Sequence, residues 1–256
     1  MSELTKSKPW SLNVYQLKLL ACFFMLIDHI GYLLLPEQMI WRAVGRLALP
    51  IFAYLIANGW RYTKSKLNYF LRLLIFALAC HLPLVIFVRM KSLNIFFTLS
   101  LGLLAIALWE WSQNLERKRN RYLLGGLLVL AVAWLGQFIK VDYGWFGVLL
   151  IFSCHLFHGR WLRLGLVTVG LCLLQWGQML LGSGVISGFN YLQILCVGAF
   201  FFLARYNGRQ GRPAKWLFYI FYPAHFLLLS ALAICIQFKF DWDLIFNQVI
   251  PYLLNR

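Results

Sequence analysis

Nine apolar stretches, each approaching the length of a bilayer crossing, succeed one another along the chain, at roughly 17–35, 42–60, 68–88, 93–112, 122–139, 143–157, 161–181, 185–204 and 215–238. A helix rises 1.5 Å per residue, so about 20 apolar residues match a hydrocarbon core of about 30 Å. Lipid offers no partner for a free peptide group, which leaves only helices and closed barrels as spanning structures. Runs of this length specify helices. The expected fold is therefore all-α, a polytopic transmembrane bundle of about nine to ten spanning helices, with residues 1–256 forming a single domain. Composition agrees: 62% of residues are hydrophobic and 12% charged, whereas soluble domains carry about 25% charged residues.

The chain carries 24 Lys+Arg against 8 Asp+Glu, a net charge of +16. In a soluble protein that excess would suggest nucleic acid. Here the cations lie in short clusters between the apolar runs, and they alternate from one side to the other. With the N-terminus inside, one side holds Lys6, Lys8, Arg61, Lys64, Lys66, Arg117, Lys118, Arg119, Arg121, Arg160, Arg163, Arg205, Arg209, Arg212 and Lys215. The other holds Arg42, Arg89, Lys91, Lys140, Lys239 and Arg256. Basic loops stay in the cytoplasm, so the pattern places the N-terminus there and makes the lipid bilayer, with no nucleic acid, the partner of this surface. Lys6 and Lys8 precede the first run and no small-residue cleavage site follows it, so that run reads as a spanning helix. The tail 243–254 is too short to span and reads as an interfacial helix or half of a tenth crossing. The six cysteines all fall in apolar runs, with no C-x-x-C spacing, and read as buried free thiols. The histidine spacing argues for no metal.

Ionisable groups inside a bilayer cost about 2.5–3.5 kcal/mol on insertion scales, which makes each a functional candidate. Asp28 and His29 lie in the outer third of the first run, and Arg46 lies just inside the second. The two runs form a hairpin, so Asp28, His29 and Arg46 are expected to meet at one level. A carboxylate, an imidazole and a guanidinium in apolar surroundings make either a structural ion pair or a proton-transfer and anion-stabilising site. Asn94 and Thr98 share a helical face and start from the same side. They read as interhelical hydrogen-bonding groups or as substrate ligands. His225 falls near the middle of the last run, and Pro223 is expected to break that helix locally. Weaker candidates are Asp142, Tyr143 and Trp145 at an outer turn, His81, the Gln175/Gln178 pair, and His155, His158 and Glu110 near inner ends.

Five short motifs fall in order along the chain: L-I-D-H at 26–29, G-R at 45–46 followed by P-I-F-A at 50–53, N-I-F-F at 94–97, Y-G-W-F-G at 143–147 and Y-P-A-H at 222–225. In this order and spacing they resemble the TraX family of integral membrane proteins, linked to acetylation of conjugative pilin and similar to a wider group of transmembrane acyltransferases. The resemblance implies an acetyl-CoA-dependent acyltransferase of the bacterial inner membrane, using no metal. It would move an acyl group from cytoplasmic acyl-CoA to an extracytoplasmic acceptor, a pilin-like protein N-terminus or a glycan. Asp28, His29, Arg46, Asn94, Tyr143 and His225 occupy the motif positions. On this reading His29 is the base or the acyl carrier, oriented by Asp28 or by another neighbouring partner, and His225 is a further catalytic group. Arg46, aided by Asn94, stabilises the oxyanion or grips phosphate. Asn94, Thr98, Tyr143 and Tyr222 contact substrate, and Arg205, Arg209, Arg212 and Lys215 hold the phosphates of CoA. The alternatives are a small-solute transporter or flippase, and a non-catalytic pilus or envelope assembly factor.

Overall fold

A computed structural model describes residues 10–88, 90–115, 120–185, 188–213 and 215–239. Its helices are α1 (Val14–Leu33), α2 (Met39–Gly45), α3 (Ala48–Tyr62), α4 (Lys66–Val88), α5 (Ile95–Gln113), α6 (Arg121–Phe138), α7 (Gly144–Leu156), α8 (Trp161–Ser183), α9 (Ala199–Leu203) and α10 (Lys215–Gln237). A 3-10 segment, Gly188–Gly198, leads into α9. Seven spans are long and apolar enough to cross a membrane: α1, α2 and α3 taken together, α4, α5, α6, α8 and most of α10. The remaining two expected crossings are shorter. The sixth window folds as the 13-residue α7, about 20 Å long. The eighth is the 3-10 segment joined to α9, and the tail 243–254 lies outside the described residues.

α7 is apolar all round, so the bundle buries it: Phe146, Val148, Leu150, Ile151 and Cys154 are fully enclosed. One core of buried side chains runs continuously from Leu17 on α1 through Ile51, Leu103, Phe146 and Leu164 to Phe226 on α10. Around it, Ile75, Leu78 and Leu82 on α4, Leu127 and Leu130 on α6, and Leu166 and Leu174 on α8 face outward and form the lipid-contacting belt. The cysteines are free, five of them buried.

Two local features set the geometry of the centre. The first turn of α1 is fully capped. Asn13 and Gln16 form a reciprocal capping box, while the Val14 and Tyr15 amides donate to the Arg209 and Gln210 carbonyls at 2.9 and 3.1 Å. That leaves the loop before α10 fixed on the start of α1. In the second span, Pro50 has no N–H to offer the Arg46 carbonyl four residues earlier. The helix breaks there, and Arg46 sits at the junction of α2 and α3.

Candidate active site

The centre is built at the end of the bundle opposite the start of α1. Asp28 is 7% exposed and accepts from two guanidinium groups, one on each carboxylate oxygen. Arg46 Nη2 donates to Oδ1 at 3.0 Å, and Arg42 Nη1 donates to Oδ2. Arg46 also donates through Nη1 to Gln193 Oε1 at 3.3 Å and through Nε to the Arg42 carbonyl at 3.3 Å. Three of the five N–H groups of Arg46 are thus engaged, and its guanidinium carbon lies 6.0 Å from the centre of the Tyr143 ring. The helices approach closely because Gly45 faces Asp28: a β-carbon there would stand 2.6 Å from the Asp28 Cα. Gly31 serves the same purpose against Trp41.

His29 does not join this triad. Adjacent helical residues point about 100° apart, so with Asp28 turned to α2, His29 faces α10. There its Nδ1 lies 2.6 Å from His225 Nε2, the two rings stacked at 4.9 Å. The expected common meeting of Asp28, His29 and Arg46 is therefore corrected: acid and arginine pair on one side of α1, and the two histidines pair on another. Depth explains why the histidine pair was not foreseen. Counted from the outer end of the last run, His225 falls far deeper than His29. Counted from the capped start of α1, His29 is about 22 Å in and His225 about 15 Å beyond the start of α10, with the intervening loop supplying the rest.

The hydrogen-bond partners assign the tautomers. His225 Nδ1 lies 2.5 Å from the Phe221 carbonyl, which can only accept. Neutral His225 therefore carries its proton on Nδ1 and accepts at Nε2. His29 must donate from Nδ1, which leaves the lone pair on His29 Nε2. α10 runs unbroken through Pro223, contrary to the expected break; the proline removes one amide only.

Other expected site residues have structural partners. Asn94 is fully buried, caps α5 by accepting from the Phe96 amide at 3.0 Å and donates to the Ala77 carbonyl at 2.8 Å. Both ends of its amide serve the backbone, so it does not assist Arg46 at an oxyanion. Thr98, also buried, donates to the Asp142 carbonyl and holds the turn before α7. In that turn Lys140 and Tyr143 adopt left-handed backbone angles, φ 56° and 59°, a conformation costly for side chains with a β-carbon. It delivers the Tyr143 ring to Arg46. Burial pushes the Asp142 carboxyl up to about 6, the nearby Asp28 carboxylate adding to the shift and Arg46 opposing it. Burial likewise raises the Tyr143 phenol. His158 bonds Tyr54 and Asn58 at 3.0 and 2.9 Å, and Glu110 pairs with Lys66 at 2.6 Å, so both are structural groups near the other end.

A cavity of about 340 Å³ enters from the end where α1 starts. Tyr62, Gln210 and Trp216 stand at its rim, Lys18 and Arg72 line its lower wall, and Met25, Phe96 and Tyr222 form its top. Met25 lies one turn before His29 and Tyr222 one turn before His225, so the lining of the cavity reaches to within one helical turn of the histidine pair. Of the expected phosphate ligands, Arg205 folds back onto Phe201, 3.5 Å over its ring, and bonds the Phe201 carbonyl at 2.6 Å. That internal use removes it from the cavity. Arg209 and Arg212 are exposed beside the rim, and the Lys215 side chain lies outside the described residues. A second, open recess of about 460 Å³ lies at the opposite end and reaches Tyr143. Arg42, Gln193, Lys18 and Arg72 were not expected at the site from sequence. The i, i+4 spacing of Arg42 and Arg46 was a usable signal; Gln193, from a 3-10 segment with no regular period, offered none.

Buried charge, paired imidazoles and a cavity within a lipid-facing bundle define a multi-pass membrane protein with a polar centre. The chain matches the family described as TraX protein over residues 13–233 and belongs to that family. It is 25% identical over 257 residues to the probable fimbrial assembly protein FimC, serogroup H1, of Dichelobacter nodosus, covering 90% of this chain and 100% of that protein. It is 29% identical over 132 residues to the uncharacterized protein RP591 of Rickettsia prowazekii (strain Madrid E), covering 50% of this chain and 49% of that one. No solved structure matches.

Proposed function

We propose that the protein is a membrane-embedded acyltransferase of the bacterial inner membrane, its N-terminus in the cytoplasm. It takes an acyl group from acyl-CoA in the inner cavity and passes it to an acceptor at the opposite face. The observation that carries this reading is the His29–His225 pair, 2.6 Å apart, one helical turn beyond Met25 and Tyr222 in the lining of a cavity that also holds Lys18 and Arg72. Lys18 and Arg72 suit the CoA phosphates, and the apolar upper wall suits a pantetheine arm. The nucleophilic atom of the acceptor bonds the thioester carbon as His29 Nε2 takes its proton. The C–S bond then breaks, and the CoA thiolate leaves with the proton returned by the imidazole. The positive charge formed on His29 is shared with His225 through their common hydrogen bond. Arg46, held by Asp28, keeps a fixed positive charge on the neighbouring face of α1. The name of the Dichelobacter relative supports a role in fimbrial assembly, with the transfer serving an envelope or pilus component.

The test is purified protein in lipid nanodiscs with labelled acetyl-CoA. The reading expects thermal stabilisation by CoA, because a ligand confined to the folded state raises its melting point, and acceptor-dependent release of free CoA. The relative's name also favours a second reading, a non-catalytic assembly factor. Absence of both CoA stabilisation and CoA release would overturn the acyltransferase reading.

A further inference from the structure

The inner cavity has a length that can be set against that of its proposed occupant. Val14, Lys18 and Met25 line it from α1, and with His29 they fall within an arc of about 60° on that helix. Lys18 and His29 are separated by about 16 Å of axial rise. The arm of CoA, from the thioester sulfur to the first phosphorus, is a chain of about 13 bonds and spans about 16 Å at the advance per bond of an extended peptide. A thioester at His29 therefore sets the pyrophosphate level with Lys18 and places the nucleoside beyond it, at the rim.

The rim carries the groups that a purine base needs. Tyr62, Gln210 and Trp216 line the cavity there, and Tyr62 and Trp216 are 64% and 62% exposed. An aromatic ring that only anchors the protein at the membrane interface would sit at the same level, but these two also border the cavity. Trp216 is braced by Phe76 and Tyr219, with ring centroids 5.9 and 6.2 Å away, so the indole is held in place before any ligand arrives. The Gln210 carbonyl accepts from the Tyr15 amide at 3.1 Å, which fixes that residue on the first turn of α1. Its side-chain amide both donates and accepts, the pattern that pairs with N6 and N7 of adenine. We infer that the rim is an adenine subsite, in which Trp216 and Tyr62 stack on the base and Gln210 reads its edge. This inference rests on the acyltransferase reading above. Its consequence is the choice of donor. Free CoA carries the base and the phosphopantetheine arm of a carrier protein does not, so the protein draws on free CoA thioesters.

The experiment uses three probes on protein in nanodiscs: acetyl-CoA, acetyl-4′-phosphopantetheine and adenosine 3′,5′-bisphosphate. Binding is read by displacement of labelled CoA and by melting temperature, and turnover by release of free thiol. Wild type is expected to bind acetyl-CoA at least tenfold more tightly than acetyl-4′-phosphopantetheine, and the bisphosphate is expected to displace labelled CoA. Trp216→Leu changes no charge. It is expected to weaken binding of acetyl-CoA and of the bisphosphate about tenfold, within the range of one base–aromatic stack, and to leave acetyl-4′-phosphopantetheine unchanged. Equal affinity of wild type for the two thioesters overturns the subsite, as does a Trp216→Leu variant that binds acetyl-CoA as wild type does; thiol release in either case leaves the acyltransferase reading standing. Bisphosphate binding that Trp216→Leu weakens, in protein that releases no thiol from acetyl-CoA, upholds the subsite and overturns the acyltransferase reading instead. Binding of none of the three probes overturns both. The wild-type comparison stands even where the variant fails to fold.

Discussion

The tautomer chain makes an asymmetric prediction about the two histidines. In His29→Asn the side-chain amide still donates towards His225 Nε2, so the link between α1 and α10 is kept while the lone pair at His29 Nε2 is lost. In His225→Gln the side-chain oxygen still accepts from His29 Nδ1, so the base survives and only the partner that shares its charge is lost. Removing a general base costs about 10²–10⁴ in rate, or about 2.7–5.5 kcal/mol of barrier. His29→Asn is expected to fall by that amount. His225→Gln is expected to fall about tenfold, near the 1.5 kcal/mol of one hydrogen bond to a charged group. Since the pair acts as a unit, the double variant should be no slower than His29→Asn. Both variants should unfold within about 1.5 kcal/mol of wild type, because His29→Asn exchanges one neutral hydrogen bond for another and His225→Gln gives up only the bond to the Phe221 carbonyl. The assay is acceptor-dependent CoA release in nanodiscs, with melting temperatures taken on the same samples. The reasoning is refuted if His29→Asn keeps more than a tenth of wild-type turnover while His225→Gln loses more, since the lone pair would then sit on the other ring.

Three further outcomes follow from the geometry. Lys18→Gln with Arg72→Gln should raise KM for acetyl-CoA about tenfold or more per residue with kcat nearly unchanged, as loss of charge-assisted contacts to a bound anion requires; equal losses in kcat would remove these residues from the cosubstrate site. Gly45→Ala places a methyl within the Asp28 backbone and should cost about 3 kcal/mol or more through overpacking, seen as a lower melting temperature or loss of folded protein in detergent. The Asp142 carboxyl, pushed up to about 6 in the folded state, binds its proton more tightly there than in the unfolded chain. Stability is therefore full below about pH 4 and falls by about 3 kcal/mol as pH rises through 6. Asp142→Asn should abolish this loss and be the more stable form at pH 7, by thermal melts across that range.

The spans were legible because lipid imposes a length and an apolar composition on them. Arg46 was legible as a site residue because a guanidinium is too costly to place in an apolar run unless a charged partner or a ligand meets it there. What stayed hidden depended on rotation and offset. Hydropathy gives no helical phase, so nothing in the order Asp28-His29 says which one faces α2 and which faces α10. The partner of His29 lies 196 residues away, and its depth is set by a loop packed on the first turn of α1. Asn94 was misassigned for a related reason. A buried amide in an apolar run reads the same whether it caps a helix or touches substrate, and only the neighbouring Ala77 carbonyl distinguishes them.

The acid–arginine cluster and the histidine pair lie on two faces of α1 about 100° apart, one residue apart in sequence, and this arrangement separates two demands. Asp28 must be ionised to neutralise two guanidinium groups, because removing one partner of a buried ion pair costs about 3–5 kcal/mol. A base must instead be neutral before it acts. With His29 turned from Asp28, its Nδ1 meets His225, and the two arginines take both carboxylate oxygens of Asp28. Pairing His29 with a second neutral imidazole leaves its outer nitrogen unprotonated, while the arginines consume the negative charge of Asp28. On the proposed reading, the helix turn between adjacent residues supplies a fixed cationic field on one face and a proton acceptor on the other.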